Sequence, residues 1–400
     1  MSLNNTPSSE RIHIGFFGRT NAGKSSLINS ITKQEVSLVS DVKGTTTDPI
    51  KKSMELLPLG PVVLIDTPGL EDHSQLGELR EKRTRDILKQ IHVALLVIDA
   101  SEGMTEIELQ LEEFMKQEKI PYLMVYNKSD LLDEELKEKE EVQDNRIYVS
   151  AVTGENIEKL KEKVTALKPR QEEKKLVSDL LEPSNHVVLV IPIDKAAPKG
   201  RLILPQQQTI RDILDAGCTL SVCQDDKIEE TLKLLEKPPK LVITDSQVFG
   251  KIKDKVPKNI MLTSFSILFA RYKGNLEEAV KGAFKLKELK EGDKVLISEG
   301  CTHHRQCGDI GTQKLPTWIL NYTKKDIMFE FTSGGDFPTD LSKYQLVIHC
   351  GGCMLNEMQM QNRRKQAEEQ GVFMTNYGIA IAHMNGILER SIEPFKEILI

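Results

Sequence analysis

One eight-residue segment constrains the fold of this chain more than any other feature. Residues 18–25 read Gly-Arg-Thr-Asn-Ala-Gly-Lys-Ser, follow the apolar run Ile12–Phe17 and precede a helical pattern that begins at Lys24. The glycines allow backbone N–H groups to turn towards a phosphate, and the N-terminus of the helix adds a partial positive charge. The pattern therefore predicts a phosphate-binding loop, in which Lys24 reaches the β- and γ-phosphates and Ser25 ligates Mg²⁺.

Two further segments supply groups for the Mg²⁺ ion and the γ-phosphate. Asp66-Thr67-Pro68-Gly69 follows a predicted strand. There Asp66 can hold Mg²⁺ through water, and Gly69 can donate its backbone N–H to the γ-phosphate. Residues 44–48, Gly-Thr-Thr-Thr-Asp, fit a switch segment in which Thr46 is the predicted Mg²⁺ ligand. We assign catalytic roles to Lys24, Thr46 and Gly69.

Base recognition is predicted from Asn127-Lys128-Ser129-Asp130, which follows another buried strand. The Asp130 carboxylate can accept two hydrogen bonds from guanine N1 and N2, and adenine has no matching donors. A backbone N–H at Ser150-Ala151 can reach guanine O6. The nucleotide is therefore predicted to be GTP. The predicted contacts are Gly18, Asn21, Ala22, Gly23, Lys24, Ser25, Ser26, Thr46, Asp66, Gly69, Asn127, Lys128, Asp130, Ser150 and Ala151.

These motifs resemble the translation-factor class of GTPases, in the branch that includes the tRNA-modification and ribosome-assembly GTPases. In that branch an asparagine at the position of Asn21 coordinates K⁺, and Leu70 stands where Ras-type proteins carry a catalytic glutamine. The resemblance therefore implies K⁺-stimulated GTP hydrolysis, because the ion can supply the charge of an arginine finger. Glu78 matches the position of a water-orienting glutamate, a fourth catalytic candidate. It is otherwise a solvated charge on a helix.

Composition restricts the remaining possibilities. The chain has 400 residues, 39% of them hydrophobic, and a net charge of −6, which disfavours a broad nucleic-acid surface. No apolar run approaches the roughly 18–20 residues of a spanning helix, and Met1–Glu10 has no apolar signal core, so we expect no membrane partner and a cytoplasmic location. Apolar runs alternate with helical patterns over residues 1–170, which predicts a parallel-rich α/β sheet with helices on both faces.

A second set of chemically active residues lies near the other end of the chain. Cys301-Thr-His303 follows one predicted strand, and His349-Cys350-Gly-Gly-Cys353 follows another, with 45 residues between the two motifs. The ends of strands are rigid, so these side chains can converge. Three thiolates suit an iron–sulfur cluster, and four Cys and His ligands also suit structural zinc.

This pattern resembles the signature of the [FeFe]-hydrogenase maturation GTPases. The resemblance includes residues 197–206, 263–271 and 375–378, and covers nearly all of 11–390. It implies a [4Fe–4S] cluster on Cys301, Cys350 and Cys353, with a labile fourth site and a transient di-iron subcluster as cargo. His303 and His349 are candidate ligands or hydrogen-bonding neighbours. Cys307 is interpreted as an ordinary loop cysteine.

The intervening region has no catalytic constellation. Lys195, Lys199 and Arg201 form a basic loop, and Cys218 and Cys223 border an apolar run that favours core positions. The resemblance implies that residues 184–267 form a dimerisation domain and 268–400 the cluster-binding domain, both small α/β domains. A helix is predicted over Leu276–Leu289.

The motifs thus predict a P-loop GTPase, and the resemblance implies that it acts as a homodimeric scaffold and carrier. The resemblance implies immature [FeFe]-hydrogenase and radical-SAM maturation enzymes as partners, and no nucleic acid. Two alternatives remain: an RNA- or ribosome-associated GTPase with a C-terminal zinc module, and an electron-transfer protein. The acidic balance disfavours the first, and exchangeable ligands disfavour the second.

Overall fold

The computed structural model describes residues 6–33, 49–69, 84, 86–88, 90–132, 145–168, 175–193, 202–300 and 309–398. The chain forms two compact units, Met1–Gln171 and Glu172–Ile400. In the described part of the chain, no helix combines the length and the apolar character needed to cross a bilayer.

The first unit is built on a six-stranded sheet with the order β2-β3-β1-β4-β5-β6, in which β2 alone is antiparallel to its neighbour. The strands are β1 (Ile12–Phe17), β2 (Ile50–Leu56), β3 (Gly60–Asp66), β4 (Val93–Asp99), β5 (Tyr122–Asn127) and β6 (Arg146–Tyr148). The helices are α1 (Lys24–Thr32), α2 (Glu106–Gln117) and α3 (Ile157–Ala166), with short 3₁₀ turns at Ser8–Glu10 and Ser129–Leu131.

The central strands of this sheet are buried on both faces. Every residue of β1 and β4 is buried, as expected for the continuous apolar runs of parallel strands. Phe16 packs in the core on one face and Phe17 in the core on the other. Because five strands are parallel, their carboxyl ends share one edge, and the loops after them can form a common site.

The second unit contains two four-stranded parallel sheets, with the orders β10-β9-β7-β8 and β12-β11-β13-β14. Their strands are β7 (His186–Val190), β8 (Thr219–Cys223), β9 (Leu241–Thr244), β10 (Met261–Ser264), β11 (Lys294–Glu299), β12 (Met328–Ser333), β13 (Leu346–His349) and β14 (Phe373–Asn376). The predicted α/β fold, with a parallel-rich P-loop sheet and further smaller α/β parts, is confirmed.

Helices cover both of these sheets. They are α4 (Leu204–Asp215), α5 (Ile228–Leu234), α6 (Phe249–Ile252), α7 (Phe265–Tyr272), α8 (Leu276–Phe284), α9 (Leu315–Thr323), α10 (Glu357–Glu369), α11 (Tyr377–Met384) and α12 (Leu388–Ile392). A π-helical turn, Ile310–Lys314, precedes α9, and 3₁₀ turns lie at Ser178–Leu180, Ser246–Val248, Lys285–Lys287 and Glu393–Ile398. The helix predicted over 276–289 ends earlier, at Phe284, and continues as the 3₁₀ turn.

The cores of the second unit do not follow chain order. Residues near the end of the chain, including Ile379, Ala382 and Phe395, pack in the same core as β7, β9 and β10. In addition, the Thr375 hydroxyl donates to the Ala279 carbonyl, 2.7 Å away, and so ties β14 to α8. The last segment therefore stabilises the first sheet of this unit as well as the second.

Candidate functional sites

The phosphate-binding loop requires glycine at two points for different reasons. Gly18 has φ +138°, and a Cβ there would lie 2.1 Å from the Val97 carbonyl oxygen. Gly23 has φ +86°, immediately before α1, and a Cβ there would lie 2.2 Å from Asn127 Nδ2. Side chains at these positions would both strain the backbone and displace neighbouring atoms. The loop thus keeps its backbone at the N-terminus of α1, where N–H groups can bind phosphate.

Inside the loop, Lys24 is buried and its Nζ donates to the carbonyl oxygens of Gly18 and Arg19, at 2.9 and 2.8 Å. Arg19 is held in turn by Glu108, whose Oε1 lies 3.0 Å from Arg19 Nε. Glu108 is fully buried, and its other oxygen accepts from the Thr105 backbone N–H and hydroxyl at the start of α2. Glu108 therefore ties the loop to a helix over 80 residues away in sequence.

Ser25 and Asp66 lie together, as a magnesium site requires. The Ser25 hydroxyl donates to Asp66 Oδ2 at 2.6 Å, while Oδ1 is buried and has no hydrogen-bond partner among the described residues. Burial raises the pKa of Asp66, and the Ser25 hydrogen bond and Lys24 lower it less. An unpartnered carboxylate oxygen beside a hydroxyl fits Mg²⁺, which prefers oxygen ligands.

The segment after Asp66 lies against the phosphate loop. A Cβ on Gly69 would come within 2.3 Å of Thr20 Oγ1 and 2.7 Å of its backbone nitrogen. The Thr67 hydroxyl donates to the Phe16 carbonyl at 2.6 Å, which fixes this segment to β1. Gly69 therefore lies beside Thr20 of the phosphate-binding loop.

Asn127 joins the phosphate side to the base side. Its side chain is 2% exposed; Nδ2 donates to the Ala22 carbonyl at 3.0 Å, and Oδ1 accepts from the Ala151 backbone N–H at 3.1 Å. Ser150 is fully buried beside Ala151. Asp130 is exposed, in the 3₁₀ turn that follows β5. The loop, Asn127, Asp130 and Ser150-Ala151 thus meet at the carboxyl edge of the sheet.

Two acidic residues of this edge were missed by sequence analysis. Asp99, the last residue of β4, accepts from Lys128 Nζ at 2.5 Å and from the Ser101 hydroxyl at 2.6 Å. Although burial raises its pKa, these hydrogen bonds hold the pKa of Asp99 below its usual value. Glu155 accepts from the Ser129 hydroxyl at 2.7 Å. The sequence did offer one indication of Asp99: it is the last residue of β4, and the two neighbouring strands, β1 and β5, are each followed by a nucleotide-binding motif.

Several predicted residues fall outside the described part of the chain. They are Thr46, Leu70, Glu78, Lys195, Lys199, Arg201, Cys301, His303 and Cys307. Asn21 is described; it is exposed and has φ +65°. Ser26 is exposed on the first turn of α1. The other predicted nucleotide contacts have the positions given above.

Cys350 lies at the carboxyl end of β13, beside the end of β11. Its Sγ accepts from the backbone N–H of Gly300 at 3.0 Å and of Gly352 at 3.4 Å. Burial raises the pKa of the Cys350 thiol, and these two N–H groups oppose that effect. Hydrogen bonds from two backbone amides stabilise a thiolate, the form that binds metal.

The loop that carries the second cysteine is open on one side. A Cβ on Gly351 would meet nothing within 4 Å, and Gly352 has φ +60°. Cys353 is half-buried. An opening lies beside Cys350 and Gly351. Its polar lining includes Lys273, Asn275, Glu278, Arg364 and Asn376.

His349 is fully buried, and both of its ring nitrogens have partners. Arg363 Nη1 lies 2.7 Å from Nε2, and Nδ1 lies 2.7 Å from the Cys350 carbonyl oxygen. Because a guanidinium only donates, Nε2 is the acceptor and Nδ1 carries the proton. Burial, together with Arg363, lowers the pKa of His349 to about 3. This geometry favours the hydrogen-bonding alternative over metal ligation for His349.

In the ranges that the structure describes, no three His, Cys, Asp or Glu side chains lie close enough to bind a metal ion together. Cys350 and Cys353 are described, and Cys301 and His303 are not. The described donors nevertheless suit a thiolate-ligated cluster: Cys350 accepts two backbone N–H groups, and the space beside Gly351 is free.

The loops at the edge of the first sheet define a P-loop GTPase domain that binds GTP and Mg²⁺, and the family model of the 50S ribosome-binding GTPases matches residues 13–128. Two further models match the rest. The hydrogen maturase F dimerization domain covers residues 176–274, and the hydrogen maturase F tetramerization domain covers 277–394. The chain belongs to the hydrogen maturase F family, and its two matched domains are the ones described as dimerization and tetramerization domains, which supports oligomerization.

Curated relatives match the GTPase domain. The tRNA modification GTPase MnmE of Nitrosomonas europaea is 37% identical over 38% of this chain and 34% of that protein. GTPase Der of Helicobacter hepaticus is 34% identical over 40% of this chain and 36% of that protein. This chain thus spans about a third of each. A solved structure of a probable GTP-binding protein engB is 26% identical, with a TM-score of 0.32, over 39% of this chain and 97% of that one.

Proposed function

We propose that this chain is a GTP-hydrolysing scaffold that binds a [4Fe–4S] cluster and assembles or delivers the di-iron subcluster of [FeFe]-hydrogenase. The observation that carries the proposal is the joining of a GTPase domain to two hydrogen maturase F domains, with Cys350 and Cys353 at a strand end of the second. The proposed partners are immature [FeFe]-hydrogenase and radical-SAM maturation enzymes, in the cytoplasm, without nucleic acid.

The first unit would bind GTP along the carboxyl edge of its sheet. The backbone at Gly23 and the Lys24 ammonium would hold the phosphates, and Ser25 and Asp66 would hold Mg²⁺. Gly69 would donate its N–H to the γ-phosphate and so orient it towards water. We place Thr46 on the Mg²⁺ ion, as the switch motif predicts, and Glu78 on the attacking water, as the resemblance implies.

Guanine would be read by Asp130 and by the backbone of Ser150-Ala151. Asn127 acts indirectly: it joins the Ala22 carbonyl to the Ala151 N–H, so the phosphate loop and the base loop keep a fixed separation. Lys128, which pairs with Asp99, would keep its aliphatic part along the base.

K⁺ stimulation is part of the proposal, with Asn21 as its side-chain ligand. Asn21 is exposed beside the phosphate loop, and a bound cation would offset charge that develops during phosphoryl transfer. Turnover is compared in KCl and NaCl at matched ionic strength. We expect faster hydrolysis in KCl, and loss of that difference in Asn21→Ala. Equal rates in the two salts for the unmodified chain would contradict the K⁺ site alone.

The second unit would hold the cluster through Cys350, Cys353 and Cys301. The N–H groups of Gly300 and Gly352 would stabilise the Cys350 thiolate. The fourth iron site would be exchangeable, with His303 a transient ligand and Cys307 not required. Such a cluster supplies an open coordination site to which a second metal unit can attach and from which it can leave.

Self-association is proposed to begin at β8. This strand lies at the edge of its sheet, pairs with β7 and has no second strand partner among the described residues. Val222 is 49% exposed on it. An unprotected edge invites pairing with a second copy across a two-fold axis. Light scattering should show weaker dimers for Val222→Lys, whereas Leu57→Lys, at an 81% exposed site of the other unit, should not.

The central test is anaerobic reconstitution with iron and sulfide, followed by EPR of the reduced protein. The unmodified chain should give a [4Fe–4S]⁺ signal, and Cys350→Ser should lose most of its iron. Cys218→Ser is the matched control, because Cys218 is buried in the core around β7. A colourless protein with one bound zinc would favour the ribosome-associated GTPase instead.

A further inference from the structure

Arg363, on α10, is a buried arginine with an unusual set of partners. Its side chain is 7% exposed. Nη1 donates to His349 Nε2 at 2.7 Å and approaches Ser298 Oγ at 3.4 Å, while Nη2 donates to the Gly334 carbonyl at 2.6 Å. The guanidinium also lies over the Phe337 ring, 4.9 Å from its centre. Every one of these partners is uncharged.

In the described part of the chain, no carboxylate forms an ion pair with Arg363. Two acidic groups act on it, the Cys350 thiol and the Asp336 carboxyl, and Asp336 is exposed to solvent. A buried cation without an opposite charge costs several kcal/mol, and arginine does not lose its proton to avoid that cost. A negative charge that builds up at the neighbouring cysteine site would offset this cost, since no described carboxylate is paired with Arg363.

The geometry shows where that negative charge would be. His349, which accepts from Arg363, donates its Nδ1 proton to the Cys350 carbonyl. Arg363 is thus one side chain away from the backbone of a cysteine that carries two N–H···S hydrogen bonds. Hydrogen bonds on both terminal nitrogens and the contact with the Phe337 ring hold the guanidinium in this buried position.

We infer that Arg363 is the built-in counter-charge of the cysteine site, and that it stabilises an anionic, thiolate-ligated cluster, above all in its reduced form. The inference rests on the proposed function, because it needs a cluster at Cys350. Three thiolates around a [4Fe–4S]²⁺ core give a net negative charge, and reduction by one electron adds another. A fixed cation therefore favours the reduced state and raises the reduction potential. Arg363 is a positioning residue with a fixed charge, not a ligand.

Two substitutions separate charge from shape. Arg363→Lys keeps the cation and loses the planar fork, whereas Arg363→Gln keeps an N–H donor and loses the charge. Arg390→Gln is the control. Arg390 is an arginine of the same unit that donates to the carbonyls of Lys253, Val256 and Pro257.

The experiment is an EPR-monitored redox titration of the full-length, reconstituted protein, with iron and sulfide counted per chain. At fixed potential, the reduced-to-oxidised ratio should fall about tenfold in Arg363→Gln, which is 59 mV for a one-electron couple. It should change less than threefold in Arg363→Lys and Arg390→Gln. Equal shifts in the Lys and Gln variants, or none in either, would overturn the inference.

Cluster loading gives a second readout if the Gln variant holds too little iron for titration. Loss of iron in Arg363→Gln with retention in Arg363→Lys supports the charge role. Loss of iron in both variants would show that Arg363 has only a structural role, and would contradict the inference. Failure of the unmodified chain to bind a cluster would instead reject the proposed function, so the two failures are distinguishable.

Discussion

The nucleotide site and the cysteine site each hold a charged side chain that has no ion-pair partner among the described residues, and the two charges have opposite sign. In the first unit, Asp66 Oδ1 is buried without a hydrogen-bond partner among the described residues. In the second, Arg363 is buried against neutral acceptors. Both lie near the carboxyl ends of parallel strands, where β3 ends at Asp66 and β13 ends at His349, the partner of Arg363.

The difference indicates the charge of each ligand. Burial of an uncompensated charge is costly, so it persists where binding supplies the opposite sign. Asp66 fits a divalent cation, and Arg363 fits an anionic cluster. The sites also differ in construction, because the phosphate loop uses consecutive backbone N–H groups, whereas the cysteine site draws on the ends of β11 and β13 and on α10.

The largest expected effect separates the two sites. Lys24→Ala removes the ammonium that balances the phosphates, and kcat/KM for GTP should fall about 10³-fold, or about 4 kcal/mol. The EPR signal of the reconstituted cluster should stay unchanged. Lys33→Ala is the control, since Lys33 directly follows the same helix and its side chain is 77% exposed. A cluster signal lost together with GTP turnover would show that the sites are not independent.

The next effect concerns Glu108, which holds the phosphate-binding loop through its ion pair with Arg19. Glu108→Gln breaks the ion pair with Arg19. Because the Arg19 side chain is 23% exposed, we expect the free energy of unfolding to fall by about 3 kcal/mol, at the lower end of the range for buried ion pairs. Thermal unfolding of the nucleotide-free protein measures it. Glu106→Gln, two residues earlier in the same helix and exposed, should cost little. Equal effects of the two substitutions would show that Glu108 does not brace the loop.

The two sites also differ in how many of their residues could be predicted from the sequence. The loop from Gly18 to Ser25, Asp66 and Asn127 was found because each motif is contiguous and follows an apolar run that can only be a buried strand. Glu108 was missed although Thr105-x-x-Glu108 is a helix-start pattern, because nothing in that pattern shows that its carboxylate reaches Arg19. Arg363 was missed since α10 is polar on average and gives no sign of which arginine turns inward.

A third prediction tests base selection. Asp130→Asn replaces two charge-assisted hydrogen bonds to guanine by a mismatched amide, so the Kd for GDP should rise about 10²-fold, or about 2.7 kcal/mol. Xanthine carries a carbonyl where guanine carries its amino group, so the variant should gain affinity for the xanthine nucleotide. Asp179→Asn, in the second unit, is the control. Unchanged GDP binding would mean that Asp130 does not contact the base.

The smallest effect concerns His92, a buried histidine of the first unit, as His349 is of the second. His92 accepts from the His13 backbone N–H at 2.9 Å, and burial, with His13, lowers the pKa of His92 to about 4. As the pH falls below 6.5, His92 binds a proton in the unfolded chain, whereas in the folded unit it stays neutral down to about pH 4. The free energy of unfolding therefore decreases between these two pH values. Between pH 7 and pH 5 the loss is about 2 kcal/mol. Hydrogen exchange of β1 and β4, corrected for its intrinsic pH dependence, measures it, and His92→Asn, which keeps an acceptor, should flatten the profile. An unchanged profile would show that the acid sensitivity of the first unit arises from groups other than His92.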